Sequence, residues 1–380
     1  MPHLLPLLLL LLCLPVYGQG PAARHERPLP PDTTAWLDTE GRYINAHGGG
    51  ILLHKGTYYW FGEHRPERGF ATTEGINCYS SRDLKNWKHR GIALSVCTTD
   101  TLSEISRGCI MERPKVLYNE ETRQFVMWFH LELRGRGYEA ARAGVAVADR
   151  PEGPYHFVRS TRVNPGQWPL NMPAENRTRQ FPAEEVKEWW TPQWRQAVEQ
   201  GLFVQRDLQD GQMSRDMTLF QDPADGRAYH IYSSEENLTL HIAELSDNYL
   251  SHTGRYIRLF PGGHNEAPAI FHDPATSTYW LIASGCTGWE PNEARLFSAP
   301  SIWGPWQQHP SPMRGPGAKR TFGGQSTFIL PLPAKQGGGW IFMADVWHPR
   351  SLMYSGHLWI PIRMNPETGM PEIERQKKKK

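Results

Sequence analysis

Lys55-Gly56-Thr57-Tyr58-Tyr59-Trp60-Phe61 is a turn followed by an aromatic-rich strand, and the chain repeats the phrase four times more. It returns as Thr122-Arg123-Gln124-Phe125-Val126-Met127-Trp128-Phe129 and as Asp225-Gly226-Arg227-Ala228-Tyr229-His230-Ile231-Tyr232. The last two copies are Thr276-Ser277-Thr278-Tyr279-Trp280-Leu281-Ile282 and Gly338-Gly339-Trp340-Ile341-Phe342-Met343. A second phrase closes the first four units: Asp83-Leu84-Lys85-Asn86-Trp87, Glu152-Gly153-Pro154-Tyr155, Asp247-Asn248-Tyr249-Leu250 and Ile302-Trp303-Gly304-Pro305-Trp306. Five units of one kind are five small sheets, so the architecture is a set of blades or a solenoid.

Length and composition agree. The 380 residues exceed a typical single core but suit a propeller. Net charge is only +2, and four of the positive charges are the terminal Lys377 to Lys380, which read as a solvated end. No basic face is left to hold a nucleic acid. The 15 Trp and 14 Tyr serve blade packing first, and the flat rings also suit the C–H faces of sugars.

Residues 1–18 read as a signal peptide. Leu4 to Leu14 is an apolar run too short to cross a bilayer, and Val16-Tyr17-Gly18 is a small-residue cleavage site. No later run is apolar enough to span, so the expected product is secreted or periplasmic and monomeric. Cys13 leaves with the leader. Cys78, Cys97, Cys109 and Cys286 remain, and one disulfide within the Cys78 to Cys109 region is expected of an oxidising compartment. No spacing suits a zinc site, and neither a metal nor a cofactor is expected. Asn176-Arg177-Thr178 and Asn237-Leu238-Thr239 are glycosylation sequons.

Residues 19–41 are a polar, Pro-rich lead-in, 42–370 carry the repeats, and 371–380 form a charged tail. Asp222-Pro223, Asp225-Gly226 and Asp273-Pro274 are turn chemistry and lack the spacing of a calcium loop. Residues of about 161–214 carry no repeat. Within them Ala183 to Gly201 reads as one or two amphipathic helices interrupted at Pro192 and stopped by glycine. This is an insertion between the second and third units, of the length that makes lids, binding loops or interfaces.

The innermost strand of each blade should lie just before the aromatic phrase, and reading there gives one polar motif per unit. These are Ala46-His47-Gly48-Gly49-Gly50-Ile51 (with Glu63 ending the next strand), Met111-Glu112-Arg113-Pro114-Lys115-Val116, Ser214-Arg215-Asp216-Met217-Thr218-Leu219-Phe220, Asn265-Glu266-Ala267-Pro268-Ala269-Ile270 and Gly323-Gly324-Gln325-Ser326-Thr327-Phe328. An isolated acid at a strand start is more often a rim residue or an arginine's partner, and Glu112 with Arg113, or Asp216 with Arg215, could be such pairs. Recurrence at one register argues the other way, because a buried unpaired carboxylate is costly.

These residues resemble glycoside hydrolase family 43. Asp216 before Thr-Leu-Phe and the Asp-Gly turn, then Glu266-Ala267-Pro268, look like that family's inner strands. The phrases His47-Gly48-Gly49-Gly50, Tyr58 to Glu63, Cys78 to Ser81, Glu112 to Val116, Ser284-Gly285-Cys286-Thr287-Gly288-Trp289 and Gly324 to Thr327 resemble its exo-β-1,3-galactanase subgroup. The resemblance implies an all-β, five-bladed β-propeller that hydrolyses glycosidic bonds with inversion. It implies Glu266 as general acid, Asp216 as the group that raises its pKa and holds the sugar, and Glu63, Glu112, Asn237 and Thr287 as sugar ligands. A sugar-binding Asn237 carries no glycan. The family's blade-one Asp is absent here, where the sequence reads His47-Gly48. The subgroup places an amide, Gln325, beside the attacking water, and an amide is a poor base without an unusual tautomer or a relay.

The expected activity is release of galactose from β-1,3-galactan or arabinogalactan backbones. A β-xylosidase or α-L-arabinofuranosidase is the alternative within the family, and the missing Asp counts against it. A carbohydrate-binding propeller without catalysis is the alternative from another class.

Overall fold

Each aromatic phrase folds as the second strand of its own sheet in the computed structural model, which describes residues 36–375. The leader, Cys13 and Lys377 to Lys380 lie outside the described residues. The turn before the phrase is a tight hairpin. In the first sheet Lys55 and Gly56 have φ of 48° and 76°, and His54 pairs directly with Thr57, which is the twist-matched two-residue turn. The Asp residues of the other turns accept backbone N–H bonds two residues on, as with Asp222 from Ala224 and Asp273 from Ala275.

The inner strands are His47–His54, Ile110–Asn119, Met217–Gln221, Asn265–Asp273 and Gln325–Pro331, each followed by its phrase. They pack side by side in chain order, and the last lies against the first, so the five sheets close a ring. Sheet order follows chain order in blades one to four. In blade five the outer edge is built differently: Met313–Arg314 pairs in parallel with Pro371–Glu374. This blade therefore lacks the closing phrase, which in the other four links the third and fourth strands. It also moves the domain boundary past 370, because Ile373 is fully buried between Met313 and Ile362.

Alternation along the second strands explains why one phrase recurs five times. Successive side chains feed the cores on either side of a blade. Phe61 joins Met127 and Phe129 between blades one and two. Val126 and Trp128 join Met217 and Tyr232 between two and three. Tyr229 and Ile231 meet Leu281 between three and four, and Trp280 and Ile282 meet Phe342 between four and five. Trp60 joins Met343 between five and one, where Trp36, Trp87 and Trp359 complete an aromatic cluster. Among the described residues no strand is exchanged across this last seam, and side-chain packing holds it.

The insertion between Thr161 and Met217 is partly helical. Pro192 starts its main helix rather than interrupting one: Pro192–Glu199 is capped by the Thr191 hydroxyl, and proline at the first position needs no hydrogen-bonded N–H. Trp194, Val198 and Phe203 close over Leu238 of blade three as a small separate core. All four described cysteines are free, which overturns the expected disulfide; Cys78 and Cys109 are fully buried in the core between blades one and two.

Candidate active site

The polar motifs meet at one mouth of the ring because the inner strands break register there. Bulges fall between His47 and Gly50, Glu112 and Lys115, Glu266 and Ala269, and Ser326 and Phe328. Gly48, Arg113 and Ala267, each following the polar residue of its motif, have φ of 60°, 54° and 55°. Such a bulge re-aims the preceding side chain out of the pleat. Each polar residue also has a polar neighbour on the second strand: His47 opposite Glu63, Glu112 opposite His130, Glu266 opposite Ser284, and Gln325 opposite Asp345. Ser233 N–H donates to the Asp216 carbonyl in the corresponding place. Blades one and five therefore do carry acids, one strand further out than the other three.

The cleft has a volume of about 350 Å³ and is lined by Glu112, Asp216, Asn237, Glu266 and Gln325. Arg65, Phe70, Arg113, His130, Tyr138, Arg215, Gly288, Trp289 and Trp347 complete it. Glu63 stands behind it, fully buried, accepting from the Arg113 N–H at 2.8 Å and pairing with Arg65. Thr287 is exposed and does not line the cleft. Its hydroxyl donates to the Glu290 carbonyl and accepts from Asn292 at 2.8 Å, which shapes the loop presenting Trp289.

Neither sequence-adjacent ion pair forms. Glu112 accepts from Arg65 at 2.8 Å and from Tyr138 at 2.9 Å, and lies 3.1 Å from His130. Arg215 pairs with Glu236, while Asp216 pairs with Arg113 at 2.8 Å. Arg113 thus crosses the mouth from blade two. It also donates to Gln325 Oε1 at 2.7 Å and to the Ser326 carbonyl at 3.0 Å.

Gln325 is oriented without ambiguity by its neighbours. Its Oε1 accepts from Arg113 and, at 2.8 Å, from Trp347 Nε1. Both are obligate donors, so the amide nitrogen must face the other way. Nε2 donates to Glu266 Oε1 at 2.9 Å and to Ser284 at 3.2 Å. Asn237 Nδ2 approaches Glu266 Oε2 at 3.4 Å. Burial first, and then repulsion by Asp216, push the Glu266 carboxyl up to about 7.

Two groups of residues from distant sequence could hold a metal ion: His47, Asp345 and His357; and Glu112, His130 and Asp216. His47 turns Nε2 to the Met353 carbonyl at 3.3 Å and leaves Nδ1 without a hydrogen bond, while His357 and His130 each have acceptors at both nitrogens. His357 places Nδ1 2.8 Å from Asp345 and Nε2 3.1 Å from the Ile44 carbonyl. His130 lies between two carboxylates, 3.1 Å from Glu112 and 2.8 Å from Glu132.

Burial alone would lower the His130 pKa, but Glu112 and Glu132 hold it up to about 9. A folded value above the unfolded value of about 6.5 stabilises the native state fully below that pH. The contribution, about 3 kcal/mol, is lost as pH rises through 9. The stability that the wild type holds over His130→Gln in denaturant unfolding should therefore shrink from pH 6.5 to 9.5, which gives the two proteins different slopes. An unchanged slope in the variant would refute the assignment.

Lys115 is buried and donates to the carbonyls of Gly48 at 2.8 Å and Arg113 at 3.3 Å; burial, reinforced by Arg113, pushes its pKa down to about 7. The glycines of His47-Gly48-Gly49-Gly50 make room for these crossings. A Cβ at Gly48 would lie 2.1 Å from Glu63 Oε1, and one at Gly50 2.5 Å from Lys115 Cδ.

No protein-family model matches the chain, and no curated protein does. Solved structures do. A GH43 β-1,3-galactosidase, solved with galactodeoxynojirimycin, is 62% identical with a TM-score of 0.87, covering 90% of this chain and 97% of that one. A variant of an exo-β-1,3-galactanase from Phanerochaete chrysosporium, solved with β-1,3-galactotriose, is 33% identical with a TM-score of 0.68. An exo-β-1,3-galactanase from Clostridium thermocellum is 32% identical with a TM-score of 0.70. Each covers 90% of this chain, which spans 65% and 64% of their respective lengths.

Proposed function

The chain belongs to glycoside hydrolase family 43, and on that premise we propose that it is an exo-acting enzyme releasing galactose from β-1,3-galactan or arabinogalactan backbones with inversion. One observation carries the catalytic part: a part-buried carboxyl, Glu266, is held protonated up to about neutral pH at the wall of a cleft lined by carboxylates and aromatic rings. A binding propeller has no need of such a group.

Glu266 would give its proton to the departing glycosidic oxygen as the C1–O bond breaks. Gln325 donates to Oε1 at 2.9 Å and Asn237 only at 3.4 Å to Oε2, which makes Oε2 the freer oxygen to carry that proton. Water attacks C1 from the opposite face, and its proton passes to a carboxylate of the cleft rather than to Gln325, whose Oε1 is closed by Arg113 and Trp347. Glu112, held by Arg65, Tyr138 and His130, is a fixed acceptor for sugar hydroxyls.

The direct test is incubation with β-1,3-galactan and assay of free galactose. Binding without release from the wild type would overturn the enzyme reading. Asp216→Asn supplies a second test. Removing the repulsion lets Glu266 ionise at lower pH, so the basic limb of kcat/KM should move down from about 7. A limb that stays in place would remove Asp216 from its tuning role.

The proposal extends to location and assembly: an exported monomer whose leader, residues 1–18, is cleaved. No helix among the described residues is long and apolar enough to cross a membrane. Cell fractionation with sequencing of the mature N-terminus, and size-exclusion chromatography, test these two points.

A further inference from the structure

Three consecutive residues other than glycine, Glu235, Glu236 and Asn237, have φ of 52°, 59° and 64°. Each left-handed residue costs about 1–2 kcal/mol, so the turn must be held by its surroundings. Blade three supplies some of the holds, since Glu235 lies 2.9 Å from His241 Nε2 and His264 N–H donates to the Leu238 carbonyl at 3.0 Å, and the insertion supplies the others. Buried Glu235 pairs with Arg258 at 2.6 Å, and Arg258 also donates to the Val198 and Glu199 carbonyls at the end of the main inserted helix. Glu236 pairs with Arg206 of the short helix Leu202–Arg206 at 2.9 Å, and with Arg215 at 2.8 Å. Leu238 packs under Trp194, Val198 and Phe203. What the turn presents is Asn237, with Nδ2 toward Glu266 Oε2.

We propose that the helical insertion is a brace for this turn, and that Arg206 and Glu236 are positioning residues which set Asn237 against Glu266. The proposal rests on the reading of Glu266 as the acid. The insertion is accordingly part of the catalytic geometry without touching substrate: with blade three, it supplies contacts that keep an unfavourable backbone in one place. A short, undemanding turn between the same two strands would not hold an amide at this height over the cleft.

Arg206→Ala tests it, and Glu236→Gln beside it leaves in place the other contacts of Arg206, its 2.8 Å pair with buried Asp207 and its stacking 4.5 Å over the Phe203 ring. On β-1,3-galactan, kcat/KM should fall about 10- to 100-fold in both, the scale of a misplaced catalytic contact, with the unfolding midpoint of Glu236→Gln little changed. Asn237→Ala should fall alike, and the double variant no further. Arg206→Lys, which keeps the charge, should recover most of the loss. An N–H donor favours the charged carboxylate, so both alanine variants should move the basic limb of the pH profile upward. A wild-type kcat/KM with an unmoved limb in Arg206→Ala overturns the brace, as does a loss that adds in full to that of Asn237→Ala. Failure of the acid assignment is separate and shows as undiminished galactose release by Glu266→Gln.

Discussion

Glu266→Gln should lower kcat on β-1,3-galactan by about 10²- to 10⁴-fold at neutral pH, the range of a lost general acid. The substitution keeps the size of the side chain and its contact with Gln325, and removes the proton that the leaving oxygen needs. KM for the polysaccharide should change little, since Asp216, Glu112 and the aromatic wall remain. The loss should depend on the leaving group. An aryl β-galactoside whose phenol departs without protonation should be cleaved by the variant at a far larger fraction of the wild-type rate. Equal losses on both substrates would mean that Glu266 serves in some other capacity.

Gln325→Ala should lower kcat by about 10²- to 10³-fold, again with little change in KM. Three things go at once: the donor to Glu266 Oε1, the bond to Ser284, and the acceptor of Arg113 and Trp347. The companion variant Trp347→Phe separates two accounts of this residue. If Gln325 worked as an imidic acid, its oxygen would carry a proton, and the indole N–H pointing at that oxygen would oppose it. Removing the indole donor would then leave kcat unchanged or raise it. If the amide form is what matters, held so that nitrogen faces Glu266, the same substitution loosens it and kcat falls. A fall is the expected result.

The architecture was legible in the chain because its cause is local. Each aromatic phrase has a two-residue period and must feed two cores, so it repeats wherever a blade repeats. Glu112, Asp216, Glu266 and Gln325 were legible for a related reason: each breaks an apolar run at one register. The partners of these residues were not legible. Glu112 beside Arg113 suggested a pair, but the bulge turns adjacent side chains apart, and Glu112 finds Arg65 while Arg113 finds Asp216. His130 and Asp345 had a signal, a polar residue near the end of a buried second strand, yet their importance follows from a cross-strand pairing that sequence spacing does not state. Thr287 shared a phrase with Trp289, and only the course of the loop decides that the indole and not the hydroxyl faces the cleft. The expected disulfide failed because two of the cysteines serve as small apolar residues in the core between blades one and two.

The glycine run of blade one has a bearing on ancestry. An aspartate restored at position 48 would need a left-handed backbone and would drive its Cβ into the carboxylate of Glu63. At position 47 it would displace an imidazole stacked 4.9 Å from that of His357, in a site fully closed to water. Neither route suits a single substitution: at 48 the space is filled by Glu63, and at 47 a second carboxylate would be buried beside Asp345. Placing an acid here therefore asks several residues to change together, and any one substitution made alone meets only the cost of the first step.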